Sequence, residues 1–100
     1  MIVYRRIYLT EREVEVFLVL DRYRNREVDR RIILNEANIN ISYLARVLNK
    51  LKKLGVFDIG IKYENIGLRK IVRISIIPKY KVYKIVDDGS KKILWIKQEL

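Results

Sequence analysis

The chain has 100 residues, 50% of them hydrophobic and 34% charged, with a formal net charge of +10. This is the profile of one folded domain rather than a disordered tail. Having no Cys and no His, it has no thiolate nucleophile, imidazole base or Cys/His zinc site, and an enzyme is not expected.

The opening "MIVYRRIYLT" sets arginines among its apolar residues rather than ahead of them, so it does not read as a secretory signal. The longest apolar run, Val16 to Leu20, is far short of the roughly 20 residues that span a bilayer. A cytoplasmic protein is expected, in the host cytoplasm if the chain is viral. Abundant Ile, Lys, Arg, Glu and Tyr, with one Gln and two Ala, fits a thermophile with an A/T-rich genome.

"LTEREVEVFLVLDRYRN" begins with Thr10 and has Glu13 three residues later, a capping box at a helix start. Val14, Phe17, Leu18 and Asp21 share one side and Val16, Leu20 and Tyr23 another, which predicts a largely buried helix over 11–24. Val28 suits a very short strand, and "RRIILNEA" a short helix with Ile33, Leu34 and Ala37 inward. Asn40 is a suitable N-cap for a third helix over 41–54, ended by Gly55. "VFDIGIKYE" and "RKIVRISII", joined by "NIGL", predict a β-hairpin closed by Pro78. Then come a strand in "KYKVYKIV", a tight turn at Asp88-Gly89, and either a strand or a short helix in "KKILWIKQEL", with propensity favouring the strand.

Charge is unevenly placed. Residues 1–38 carry eight basic and seven acidic side chains, 39–86 eleven and two, and 87–100 three and three. A positive excess gathered in the central half is what a polyanion-binding face requires.

The third helix carries the functional pattern. Projected at 100° per residue, Ile41, Leu44, Val47, Leu48, Leu51 and Leu54 form a core-facing stripe. Opposite them run Ser42, Arg46, Asn49 and Lys53, flanked by Tyr43, Ala45 and Lys50, with no acid between Asn38 and Phe57. Solvated helix faces usually mix signs. A donor-rich stripe free of carboxylates suits the major groove, where Arg pairs with guanine, Asn with adenine, Ser with several base edges and Lys with guanine or phosphate. An exposed helix that is basic without a partner is the competing interpretation.

Helix, short helix, longer helix and β-hairpin make an α+β winged helix-turn-helix. The expected organisation is a single domain over 1–100, with a core at 9–77 and a β-rich hairpin or strand-helix extension at 78–100. "NISYLARVLNKLKKLGVF" resembles the recognition-helix region of MarR-like winged-helix regulators: a polar N-cap, a hydroxyl residue two later, the spacing of Leu44, Val47, Leu48 and Leu51, an Arg at 46, and a basic run ending in Gly. "LTEREVEVFLVL" is similar to that family's preceding helix. The resemblance implies that the hairpin is the wing, with Arg69, Lys70 and Arg73 as its basic residues. Read from the residues alone, Lys62, Arg69, Lys70 and Arg73 can supply phosphate contacts, and Glu64 sits badly near phosphate unless paired.

MarR-like proteins are usually longer and dimerise through terminal helices around an effector cleft. Here nine residues precede the cap of the first helix and the tail looks β-rich, so no cofactor or small-molecule effector is expected, and compact winged-helix proteins of archaea and their viruses match better in size. Tyr4, Tyr8 and Trp95 make "IVYRRIYL" and "KILWI" candidate homodimer surfaces, or completions of the monomer core. The sequence therefore predicts a homodimeric, sequence-specific binder of double-stranded DNA that regulates transcription, against a non-specific architectural DNA-binding protein or a protein or RNA interaction module. Asp87 and Asp88 read as a turn rather than a metal or acid/base pair.

Overall fold

The first helix sets the architecture. In the computed structural model, which describes residues 1–100, α1 runs from Glu11 to Arg22. Thr10 Oγ1 accepts from the Glu13 N–H at 3.1 Å and Glu13 Oε1 accepts from the Thr10 N–H at 2.8 Å, closing the capping box. Val14, Val16, Phe17, Val19 and Leu20 are all buried, so apolar side chains leave α1 in nearly every direction. Such a helix must be covered on several sides. Leu18, expected inward, is exposed instead. The helix stops two residues short of the expected Arg24, because Asn25 adopts a φ of 62° and donates its N–H to the Ile76 carbonyl. Asn tolerates this left-handed conformation better than most residues.

Around α1 stand strand β1 (Ile2–Leu9), strand β2 (Arg26–Asp29), helix α2 (Arg30–Ala37), helix α3 (Ile41–Lys53), and strands β3 (Phe57–Ile66), β4 (Arg69–Pro78), β5 (Val82–Asp88) and β6 (Lys91–Glu99). The result is an α+β fold of three helices and two small antiparallel sheets, in the orders β2-β4-β3 and β1-β6-β5. Residues 91–99, for which a helix was the alternative, are a strand. Strand β1 has no counterpart among the elements expected from sequence. Adjacent Arg5 and Arg6 break its apolar alternation, and its partner β6 lies at the other end of the chain. No helix is long and apolar enough to cross a membrane.

The two sheets share one core. A single cluster of 21 buried hydrophobic residues takes side chains from both sheets and all three helices. Phe17 lies at its centre, with ring centroids 5.6 Å from Phe57, 5.7 Å from Tyr80 and 4.9 Å from Tyr83. Both tyrosines donate to Asp21, Tyr80 at 2.5 Å and Tyr83 at 3.3 Å. Burial, reinforced by the Asp21 carboxylate, pushes the Tyr80 phenol above its ordinary value.

The end of α3 is fixed from both sides. Gly55 has a φ of 71°, its N–H donates to the Lys52 carbonyl at 3.0 Å, and the Val56 N–H donates to the Leu51 carbonyl at 2.9 Å, which is the Schellman arrangement. The helix closes at Lys53, with Leu54 as the cap. Gln98, the one buried polar residue, donates from Nε2 to the carbonyls of Gly55 (2.8 Å) and Lys79 (3.1 Å) and accepts from Arg5 Nη1 at 3.1 Å. All three heteroatom contacts join β6 to segments distant in sequence. A Cβ on Gly55 would stand 3.4 Å from Arg5 Nη1 in addition to being strained.

Two outcomes follow. Phe17→Ala should destabilise the fold by about 3–5 kcal/mol, measured by denaturant unfolding. Asp29 caps α2 by accepting from the Arg31 N–H at 2.9 Å, and the Arg31 guanidinium holds its carboxyl down at about 2. A lowered folded-state value means that this contribution is complete above the ordinary carboxylate range and is lost as pH falls through about 2. The stability advantage of the parent over Asp29→Asn should therefore shrink between about pH 4 and pH 2.

Candidate nucleic-acid interface

Helix α3 starts on Asn40, whose Oδ1 accepts from the Tyr43 N–H at 2.8 Å. From there the backbone fixes the angular order of its side chains. Leu44, Val47, Leu48 and Leu51 are buried, while Ile41, expected with them, is 51% exposed in the first turn, ahead of the packed stripe. Ser42, Ala45, Arg46, Asn49 and Lys53 are exposed. Neither Arg46 nor Lys53 is in an ion pair, and together with Asn49 they border a shallow depression of about 440 Å³. Their donors are free for a partner.

Lys50 behaves differently. Its Nζ lies 2.9 Å and 3.0 Å from the two Glu13 oxygens, so the flank of the stripe meets a carboxylate from α1 that the local sequence does not contain. Burial would raise the Glu13 carboxyl, but the Thr10 N–H and Lys50 hold it below its ordinary value. Lys50 fastens α3 to α1 rather than adding a free cation. Tyr43 is half-buried against the core, with the guanidinium of Arg12 5.3 Å and that of Arg46 5.9 Å from its ring centroid. The ring holds both cations near the start of α3.

The hairpin adjoins the helix. Ala45, Asn49 and Lys52 face Ile59, Gly60 and Ile61 of β3 across a groove of about 370 Å³. Ile59 pairs with Ile76 and Ile61 with Ile74, and the ladder continues past the core to Ile66 opposite Arg69. Gly67, at a φ of 62°, takes the first of the two turn positions and Leu68 the second, the geometry of a type II′ connection. At the tip Arg69 and Lys70 are exposed and outside every ion pair.

Glu64 resolves the conflict seen in sequence. It lies 3.5 Å from Lys62 Nζ and 3.4 Å from Arg73 Nε, and Lys62 and Arg73 are themselves paired across the ladder. One carboxylate is thus shared by two cations that would otherwise repel each other. The four basic hairpin residues divide into Arg69 and Lys70, which are unpaired, and Lys62 and Arg73, which are partly neutralised.

Several residues suited to this surface were not identified from sequence. Lys52 lies beside Ala45 and Asn49, where an angular projection of the whole helix places it. Arg12 reaches the start of α3 only through tertiary packing, with Nη2 donating to the Asn38 carbonyl at 3.2 Å. Ile66 and Leu68 expose apolar surface at the hairpin tip, Leu68 completely. Asp87 accepts from Lys92 at 2.7 Å, and the neighbouring Asp88 opens the β5-β6 turn. Comparison with protein-family models, curated proteins and solved structures finds no match for the chain.

The capping box and the Lys50 tie both depend on Glu13 and can be separated. Glu13→Gln keeps an acceptor for the Thr10 N–H, so Glu13→Ala should lower thermal stability by about 1 kcal/mol more than Glu13→Gln.

Proposed function

We propose that this chain is a winged helix-turn-helix protein that binds double-stranded DNA sequence-specifically and regulates transcription, with α3 in the major groove and the β3-β4 hairpin as a wing along the backbone or minor groove. The observation that carries this reading is the exposed stripe of Ser42, Arg46, Asn49 and Lys53, whose side-chain donors have no carboxylate partner, beside a hairpin whose tip cations are also unpaired. A short strand between α1 and α2 that pairs with β4 in the order β2-β4-β3 supports the winged arrangement. So does the MarR-like pattern of residues 40–57.

The roles then divide by chemistry. Arg46 and Asn49 can each make bidentate contacts with base edges, guanine for Arg and adenine for Asn. Ser42 and Ala45 are small enough to let the helix approach closely. Lys53, Lys52, Arg69 and Lys70 neutralise phosphates and fix register without carrying sequence information. The protein acts as a homodimer on a pseudo-palindrome with half-sites about one helical turn apart. Strands β1 and β5 each pair on one side only, leaving free backbone edges at which a second copy can add.

Selection of bound duplexes from a random library, followed by affinity measurements against salt, tests the proposal. An inverted repeat should emerge, and Arg46→Ala should lose about 1–3 kcal/mol of discrimination at one position in each half-site. Lys70→Ala should weaken all duplexes alike and reduce the salt slope by about 1. Tight binding with no preferred sequence would instead identify a protein that coats DNA through phosphates alone.

A further inference from the structure

The sheet β1-β6-β5 has two unlike faces. Ile7, Leu94 and Ile96 point into the core, so by the two-residue period their neighbours point outward. The register places Arg6, Trp95 and Lys84 in one outward row and Tyr4, Lys97 and Val82 in the next. Trp95, the only tryptophan, lies between two cations, with the Arg6 guanidinium 5.3 Å and the Lys84 ammonium 5.8 Å from the ring. Beside it Tyr4 is 67% and Val82 60% exposed, and with Trp95, Lys84 and Lys97 they border a depression of about 340 Å³. Tyr8 extends the aromatic line along β1 and is also exposed. No acidic residue belongs to these rows. Glu99, at the end of the sheet, is tied to Lys81 at 2.5 Å.

We infer that this outer sheet face binds single-stranded DNA, with bases stacking on Tyr4, Trp95 and Tyr8 and phosphates meeting Arg6, Lys84 and Lys97. Charge selects the occupant. A second copy laid face to face would oppose cation to cation across these central rows, because the outward carboxylates, Glu99 and Asp88, stand only at the two ends of the sheet, and lysine is depleted from the centres of protein interfaces. A polyanion with flat apolar rings supplies both complements, and base-aromatic stacking combined with backbone neutralisation is how sequence-tolerant single-strand binding works. Duplex DNA keeps its ring faces stacked inside and cannot use the platform. The 5-methyl group of thymine adds apolar surface that exposed Tyr4 and Val82 can cover and that uracil lacks, which favours oligo(dT) over oligo(U). This inference does not depend on the duplex reading of α3, because the two surfaces share no residue.

Trp95 reports on the contact directly. Titration with oligo(dT) of about ten nucleotides, within the usual site size of a small domain, should quench its emission. Anisotropy with labelled oligo(dT) should show the Arg6→Glu/Lys84→Glu protein binding about tenfold or more weakly at unchanged melting temperature, and Tyr4→Ala weakening binding as well. Arg46→Ala, which tests the duplex reading, should leave oligo(dT) binding intact. The inference is overturned if Trp95 emission does not respond, if Arg46→Ala removes oligo(dT) binding, or if oligo(U) of equal length binds more tightly than oligo(dT). It is equally overturned if sedimentation finds a dimer that Trp95→Ala, on the central strand and away from both sheet edges, dissociates, since a second copy would then cover the face.

Discussion

A helix with apolar side chains in almost every direction cannot lie on a surface, and α1 is such a helix. Val14, Val16, Phe17, Val19 and Leu20 each need cover, and no single sheet or helix pair can provide it. The other elements can be understood as the answer to that requirement: α2 and α3 pack against α1, β4 meets it from one sheet, and β1 and β6 meet it from the other. Phe17 touches aromatic rings on β3, on β5 and in the loop between β4 and β5. The second sheet is therefore a structural necessity as much as an appendage, because without it a face of α1 would stand in water at roughly 25 cal/mol for each Å² of apolar surface.

On this frame, ion pairs determine which cations remain available. Lys50 is spent on Glu13, Lys62 and Arg73 share Glu64, and Arg31 closes on Asp29. What is left outside ion pairs on the α3 side is Arg46, Lys52 and Lys53 along α3, Arg69 and Lys70 at the hairpin tip, and Arg12, which reaches the start of α3 from α1. Exposed pairs contribute little to stability, about 0–1 kcal/mol each. Their larger effect is to localise the positive field by quenching it elsewhere. A chain with twelve acids among twenty-two bases can in this way present concentrated basic surfaces without a uniformly basic exterior.

What sequence revealed follows the range of the interactions involved. The starts of α1 and α3, two of the three helices, were legible because a cap is written within four residues, Thr10 with Glu13 and Asn40 with the Tyr43 N–H. The end of α3 was legible because Gly55 alone could take its conformation comfortably. The outward stripe of α3 was legible because helical period fixes which side chains share a face. Strand β1 was not, since its alternation is interrupted at Arg5-Arg6 and its pairing is with residues 92–99. The capture of Lys50 by Glu13 was hidden for the same reason, and although Tyr4, Tyr8 and Trp95 stood out as surface aromatics, their assembly with Val82 on one face of three paired strands was not legible. Local chemistry marked the helices, while closure of the chain on itself decided which of their charges stayed free.

The pairing of β1 with β6 also bears on how the molecule is made. Arg5 and Gln98, 93 residues apart, meet only when both β1 and β6 have been made, and Gln98 also secures the carbonyl of Gly55 at the end of α3. During synthesis, α1 and the hairpin can form early from local contacts, but one side of α1 stays uncovered until β6 arrives. For that interval the nascent chain carries the apolar surface of Phe17 and its neighbours together with the unpaired edge of β1, a combination prone to aggregation. The central strand of the second sheet thus acts as the last stitch, and the rate at which it closes governs how long the unfinished chain is exposed to its neighbours.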